Sequence, residues 1–148
     1  MEALNYFRKH SNYGVLFLRV AIGVFLIYGV LDNILSWERM LEFRDFLQAH
    51  GMPFPLFSAH VSVYVQFACG LMLLLGAAVR LAGILMIVNF LVAIVLVHLG
   101  QNFPEYYPAA QLIAVGFFFL FNGAGPVSVD ALWEDKTKKT LYRQVHVK

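Results

Sequence analysis

Asp32, Gln66, His98 and Gln111 carry the chemistry that is hardest to explain in this sequence. Each stands in, or at the end of, a long apolar stretch. Polar groups at membrane depth are costly, so each needs a reason to be there. At a rise of about 1.5 Å per residue, all four fall in the outer half of their stretches, and His60 and Asn33 lie close to the same layer. The functional reading is an outward-facing polar cavity. His98 would exchange protons near neutral pH, and a neighbouring Asp32 would tune that proton or be tuned by it. Such a cavity suits a quinone headgroup: polar side chains bind its carbonyls and apolar walls take its tail. Quinone redox needs proton delivery, which a His/Asp pair supplies. The structural alternative is that Gln66, Asn89 and Gln111 join helices through hydrogen bonds. On that reading Asp32 and His98 lie near enough to water to need no partner.

A second polar layer lies on the inner side. Arg19 is about one turn above the inner edge, Arg80 is at the edge, and Asn122 closes the last apolar stretch, while Asn89 sits alone near mid-membrane. These four read as structural, the arginines by snorkelling to inner headgroups. Haem is the weaker option. His60 and His98 could face each other as axial ligands, but no His-x-x-x-His or carboxylate-rich spacing supports a metal site. The single cysteine, Cys69, excludes an internal disulfide and dithiol chemistry by this chain alone. A net charge of +2 is too small to point to nucleic acid.

The elements that position these residues are helices in lipid. The 148 residues suit one domain, 1–148, and are 60% hydrophobic but only 14% charged, against about 25% charged in soluble domains. Charges cluster in 1–10, 36–50 and 129–148. Between them, spanning helices are expected at about 15–35, 59–78, 81–99 and 109–124, the last short enough to begin within the preceding loop. The first run is too long for a signal peptide and lacks a small-x-small cleavage site, so it reads as retained. Unpaired backbone is excluded in lipid, and the runs are too continuously apolar for barrel strands. The expected fold is therefore all-α: an integral membrane four-helix bundle, antiparallel and up-down, in contact with the lipid bilayer.

Orientation follows the lysines and arginines. With the N-terminus inside, Arg8, Lys9, Arg19, Arg80, Lys136, Lys138, Lys139, Arg143 and Lys148 lie inside, and only Arg39 and Arg44 outside. Both termini are thus expected to be cytoplasmic, in a bacterial cytoplasmic membrane, with 129–148 as a cytoplasmic tail. In the long first outer loop, Trp37, Met40, Leu41, Phe43, Phe46 and Leu47 recur at near-helical spacing. This predicts a short amphipathic interfacial helix over about 37–49. The alternative is a lid packed over the mouth of the bundle. Gly51-Met52-Pro53-Phe54-Pro55 then turns the chain back.

Read together, these features resemble the DoxX family of small four-helix membrane proteins. Arg19, Gly23, Phe25 and Gly29 resemble its first-helix pattern, and Gly51-Met52-Pro53-Phe54-Pro55 its Gly-x-Pro-x-Pro turn. Gly70, Gly76, Arg80 and Ala82 resemble its second-helix end and inner turn. His98 resembles the histidine closing its third helix, and 125–130 the exit motif. The resemblance spans about 16–132 and implies a link to membrane redox, since relatives include a subunit of thiosulfate:quinone oxidoreductase. The family often has Lys where this chain has Asp32-Asn33, and Glu where Gln66 and Gln111 stand. Amides keep hydrogen bonding but cannot titrate, which favours binding or structure over proton-coupled catalysis. The expected function is an accessory or structural subunit of a respiratory or redox membrane complex that binds quinone or lipid. Its partners would be other subunits of such a complex or further copies of this chain. The alternatives are a quinone-reactive oxidoreductase subunit using His98 and Asp32, and a small transporter or channel formed by an oligomer.

Overall fold

Long uncharged runs give helices, and Pro55, Gly76 and Gly123 mark three of their ends. In the computed structural model, residue 5 and residues 12–98 and 102–146 are described, with side chains at 5, 13–97 and 102–137. The helices are α1 (Asn12–Leu35), α2 (Trp37–Ala49), α3 (Pro55–Leu75), α4 (Val79–Ala93), α5 (Phe103–Asn122) and α6 (Val129–His146). A π-helical turn, Ile94–His98, extends α4. Among the described residues there is no strand.

The boundaries differ from the expected ones for local reasons. The helix expected at 59–78 begins at Pro55, because proline at the first helical position lacks only an N–H that would be unpaired anyway. It ends at Leu75, where Gly76 takes the left-handed conformation (φ 69°). Ala78 is also left-handed (φ 51°), and α4 starts immediately after it, two residues before the expected 81. The helix expected at 109–124 begins at Phe103. There the Asn102 side chain and the Glu105 side chain cap each other's backbone N–H groups. Among the described residues, three helical stretches are long and apolar enough to cross a membrane: Tyr13–Leu35, Pro55–Leu75 and Val79–Val97. Helix α5 is 20 residues long, but its first two turns carry Pro104, Glu105, Tyr106, Tyr107 and Pro108, and it falls short of that measure.

Helix α1 packs on α3, α4 packs on α5, and α3 joins the two pairs through α4. Both pairs cross where glycine meets glycine. A Cβ on Gly70 would lie 2.9 Å from the Gly23 carbonyl oxygen, and one on Gly83 would lie 2.6 Å from that of Gly116. The missing side chains let backbones touch, the usual way for helices to gain dispersion contact in lipid. One core cluster, around Leu26, Cys69, Leu73, Met86 and Phe119, fills the space between these helices.

A second cluster sits under α2. Ser36 caps this helix by accepting the Arg39 backbone N–H. Met40 and Leu47, 2% and 4% exposed, are buried with Val30, Ala59, Val63 and Val97. Glu38, Glu42 and Asp45 point outward. The apolar face of α2 thus packs down on the spanning helices, as the lid alternative requires.

Candidate functional site

Beneath α2 lies a cleft of about 670 Å³. Phe43, Phe46 and Leu47 of α2, with Met52 of the following turn, form its roof. Phe25 and Gly29 of α1 and Val61 and Val65 of α3 line one wall, and Leu85, Val88 and Phe90 of α4 line another. Two breaks in helix regularity border it. One is the π turn, which contributes Val97; the other is Pro108 inside α5. π turns and internal prolines disturb the backbone ladder and recur at functional sites.

Against this apolar lining stand two amides, Gln66 and Asn89. Both are half-buried. Gln66 Nε2 donates to the Ser62 hydroxyl at 3.1 Å and to the Ser62 carbonyl at 3.3 Å. Its amide oxygen has no partner among the described residues. Asn89 has no side-chain hydrogen bond at all among them. A polar group in apolar surroundings costs free energy unless it is hydrogen-bonded, so the Asn89 amide has donors and an acceptor on offer to whatever fills the cleft. Glu105 reaches the rim, but one carboxylate oxygen accepts the Asn102 N–H at 3.2 Å.

The structure separates the residues expected to form one outer cavity. Gln66 lines the cleft. Asp32, His60 and Gln111 do not. Asp32 is exposed and accepts the neighbouring Asn33 N–H at 2.9 Å, while the Asn33 amide donates to the Arg39 carbonyl at 3.1 Å. These bonds fasten the α1–α2 turn. His60 bonds the Leu56 carbonyl at 2.8 Å and lies against Trp37, ring centroids 5.9 Å apart. Gln111 is exposed and donates to the Tyr107 hydroxyl one turn earlier. The His98 backbone closes the π turn; its side chain lies outside the described residues.

Asn89, expected to be a structural residue set apart from the outer layer, shares the cleft with Gln66. Its sequence environment, one polar residue in an apolar helix, carried no hint of which neighbours it would meet. The face of α3 was readable: Ser58, Ser62 and Gln66 recur every four residues and all line the cleft.

The inner polar residues hold the other end of the molecule. Arg19 is 2% exposed and does not snorkel. Its guanidinium donates to the Ala124 carbonyl and, at 2.8 Å, to the Val127 carbonyl. Asp130 accepts the Ala78 and Val79 N–H groups at 2.7 and 3.0 Å, capping α4. Arg80 donates to the Leu120 and Phe121 carbonyls at the end of α5. Asn122 donates to the Phe118 carbonyl. No cluster of metal-ligating side chains occurs among the described residues.

In comparisons with known proteins, the DoxX family model matches residues 14–99, more than half of the chain. No curated protein and no solved structure matches.

Proposed function

Because the chain belongs to the DoxX family, whose members are small membrane proteins, we propose that it is an accessory subunit of a membrane redox complex that holds a quinone-class molecule in the cleft under α2. The observation that carries this reading is the Asn89 amide, uncommitted in an apolar cleft of about 670 Å³. That size lies within the range of roughly 300–1,000 Å³ for small-molecule sites. The residues present fit such a ligand. A quinone carbonyl accepts a hydrogen bond, which the Asn89 amide would donate. The free Gln66 amide oxygen would accept one from the hydroxyl of the reduced quinol, and the phenylalanine and valine walls suit an apolar ring and tail. A bound quinone would supply electron transfer to a partner subunit. The chain's own residues would bind it, orient it and exclude water.

The same reading places α5 across the bilayer as the fourth helix of an antiparallel bundle. Its 20 residues reach about 30 Å, the thickness of the hydrocarbon core. Arg80 and the charged α6 would lie on the cytoplasmic side by the excess of lysine and arginine there.

Catalysis of quinone redox by this chain alone has less support. Asp32 is outside the cleft and bonded to its own turn, so it offers no proton to a ligand there. The amides that face the ligand do not titrate.

The test is quinone binding to the detergent-solubilised protein, read by tryptophan fluorescence or calorimetry. Asn89→Leu keeps the branched outline of the side chain and removes the hydrogen bond, worth about 0.5–1.5 kcal/mol, so affinity should fall about two- to twelvefold. Unchanged affinity in Asn89→Leu and in Gln66→Leu would remove the cleft from the proposal.

A further inference from the structure

We propose that the cavity at the opposite end of the molecule from α2 is a site for the headgroup of a phospholipid that carries both a phosphate and a primary amine. This cavity, about 860 Å³, lies between the start of α4, the end of α5 and the first turns of α6. Its polar lining divides into residues already engaged and residues that are not. Both Asp130 oxygens accept backbone N–H groups of α4. The Ser128 hydroxyl donates to the Gly125 carbonyl and accepts the Ala131 N–H. The Thr137 hydroxyl donates to the Trp133 carbonyl.

Two charged side chains remain. Arg80 is fixed through one terminal nitrogen to the Leu120 and Phe121 carbonyls. Its other edge, the Nε and second terminal nitrogen, makes no hydrogen bond among the described residues. A Cβ on Gly123 would lie 3.4 Å from both of those atoms. Glycine there, at φ 70°, leaves that edge open to the cavity. Glu134 is the second, exposed and without an ion pair among the described residues.

A cation and an anion thus line one cavity and do not pair with each other. The guanidinium edge of Arg80 suits two phosphate oxygens, the bidentate geometry that favours arginine over lysine. The Glu134 carboxylate suits an ammonium that can donate hydrogen bonds. A headgroup with both, as in phosphatidylethanolamine, satisfies both ends. Phosphatidylglycerol lacks the amine, and the quaternary ammonium of phosphatidylcholine cannot donate. Trp133, 69% exposed at the rim, belongs to the residue type that settles at the headgroup level. The proposal is independent of the cleft under α2.

The test is native mass spectrometry of the full chain released from micelles containing each lipid in turn. Wild type should retain phosphatidylethanolamine about tenfold better than phosphatidylcholine or phosphatidylglycerol, the effect of one charge-assisted hydrogen bond. Glu134→Gln, an exposed change with no packing cost, should abolish the preference over phosphatidylglycerol. Arg80→Gln should lower retention of all three lipids. Soluble glycerophosphoethanolamine and inorganic phosphate serve as competitors. Failure of either to displace the lipid identifies the membrane as the source, and displacement by phosphate alone would overturn the lipid assignment. Equal retention of the three lipids by wild type, or a preference unaltered in Glu134→Gln, would overturn the proposal even if Arg80→Gln failed to fold.

Discussion

Replacing Gly83 by alanine should loosen the contact between α4 and α5, and Gly29→Ala provides the matched reference. A Cβ at Gly83 would sit 2.6 Å from the Gly116 carbonyl oxygen and 3.0 Å from the Leu120 nitrogen. Both are backbone atoms of a packed helix, so no side chain can turn away. The helices must part by several tenths of an ångström along their crossing. Overpacking of this kind costs about 1–3 kcal/mol. Alanine also gains about 1 kcal/mol over glycine in helix propensity, which would hide part of the effect in a comparison with wild type. Gly29 lies inside α1, and a Cβ there meets nothing within 4 Å. It receives the propensity gain without the clash. The difference between the two variants therefore isolates packing, at about 1–3 kcal/mol against Gly83→Ala. Gly116→Ala should fall between them. One of its close contacts, 2.8 Å, is to the Ile87 side chain, which can move, although the Gly83 oxygen at 2.9 Å cannot. Reversible unfolding in mixed detergent–dodecyl sulfate micelles, followed by circular dichroism and without quinone, gives the free energies. Equal stability of Gly83→Ala and Gly29→Ala would refute close backbone packing between α4 and α5.

Arg19→Leu should destabilise the protein by about 2–4 kcal/mol in the same assay, because it strands the Ala124 and Val127 carbonyls that Arg19 now bonds; a neutral result would mean that those carbonyls find other donors. Ala78→Gly should stabilise by about 1 kcal/mol by relieving a left-handed alanine, and any loss of stability would contradict strain at that turn. Impermeant maleimide applied to intact cells should label Glu42→Cys and leave Glu134→Cys unlabelled until the membrane is opened. The native Cys69 is fully buried and gives little background; the reverse pattern would invert the proposed orientation. Purification from native membrane at natural abundance should yield a stoichiometric complex with redox subunits, and an isolated homo-oligomer would count against the accessory role.

The helices were legible because their signals are local. The apolar runs, Gly76 and the proline-rich turn at 53–55 mark starts and stops within a few residues. The amphipathic spacing of Met40, Phe43 and Leu47 located α2 with the bounds 37–49. What lay under it was not legible, because an amphipathic face reads the same whether it covers lipid or protein. Depth along each helix was also legible, but azimuth, apart from the row Ser58, Ser62 and Gln66 on α3, was not. Asp32 and Gln66 were expected in one outer layer, yet they point to different surroundings, one to a turn and one to the cleft. A helix with apolar residues on every side gives no period from which to tell which face a lone Asn89 or Gln111 occupies. Arg19 was misread for a related reason. Snorkelling is the default for an arginine near a membrane edge, and the carbonyls that capture it come from residues more than a hundred positions away.

The distribution of hydrogen-bond commitments separates the two ends by task. Arg19, Asp130 and Arg80 tie α1, α4, α5 and α6 together through backbone groups, a mesh in which each charge is held against carbonyls or amides that otherwise lack helix partners. Such an end resists movement. The end under α2 is held chiefly by apolar contacts of Met40 and Leu47, which are non-directional, and is bordered by a π turn and an internal proline. Its amides are only partly engaged. The proposed ligand would enter more readily at an end held by non-directional contacts and would need polar groups not already satisfied, and the cleft end fits both conditions. The mesh at the other end would keep the helices in register while α2 moves. Loss of binding without loss of stability is therefore expected for changes in the cleft, and loss of stability for changes in the mesh.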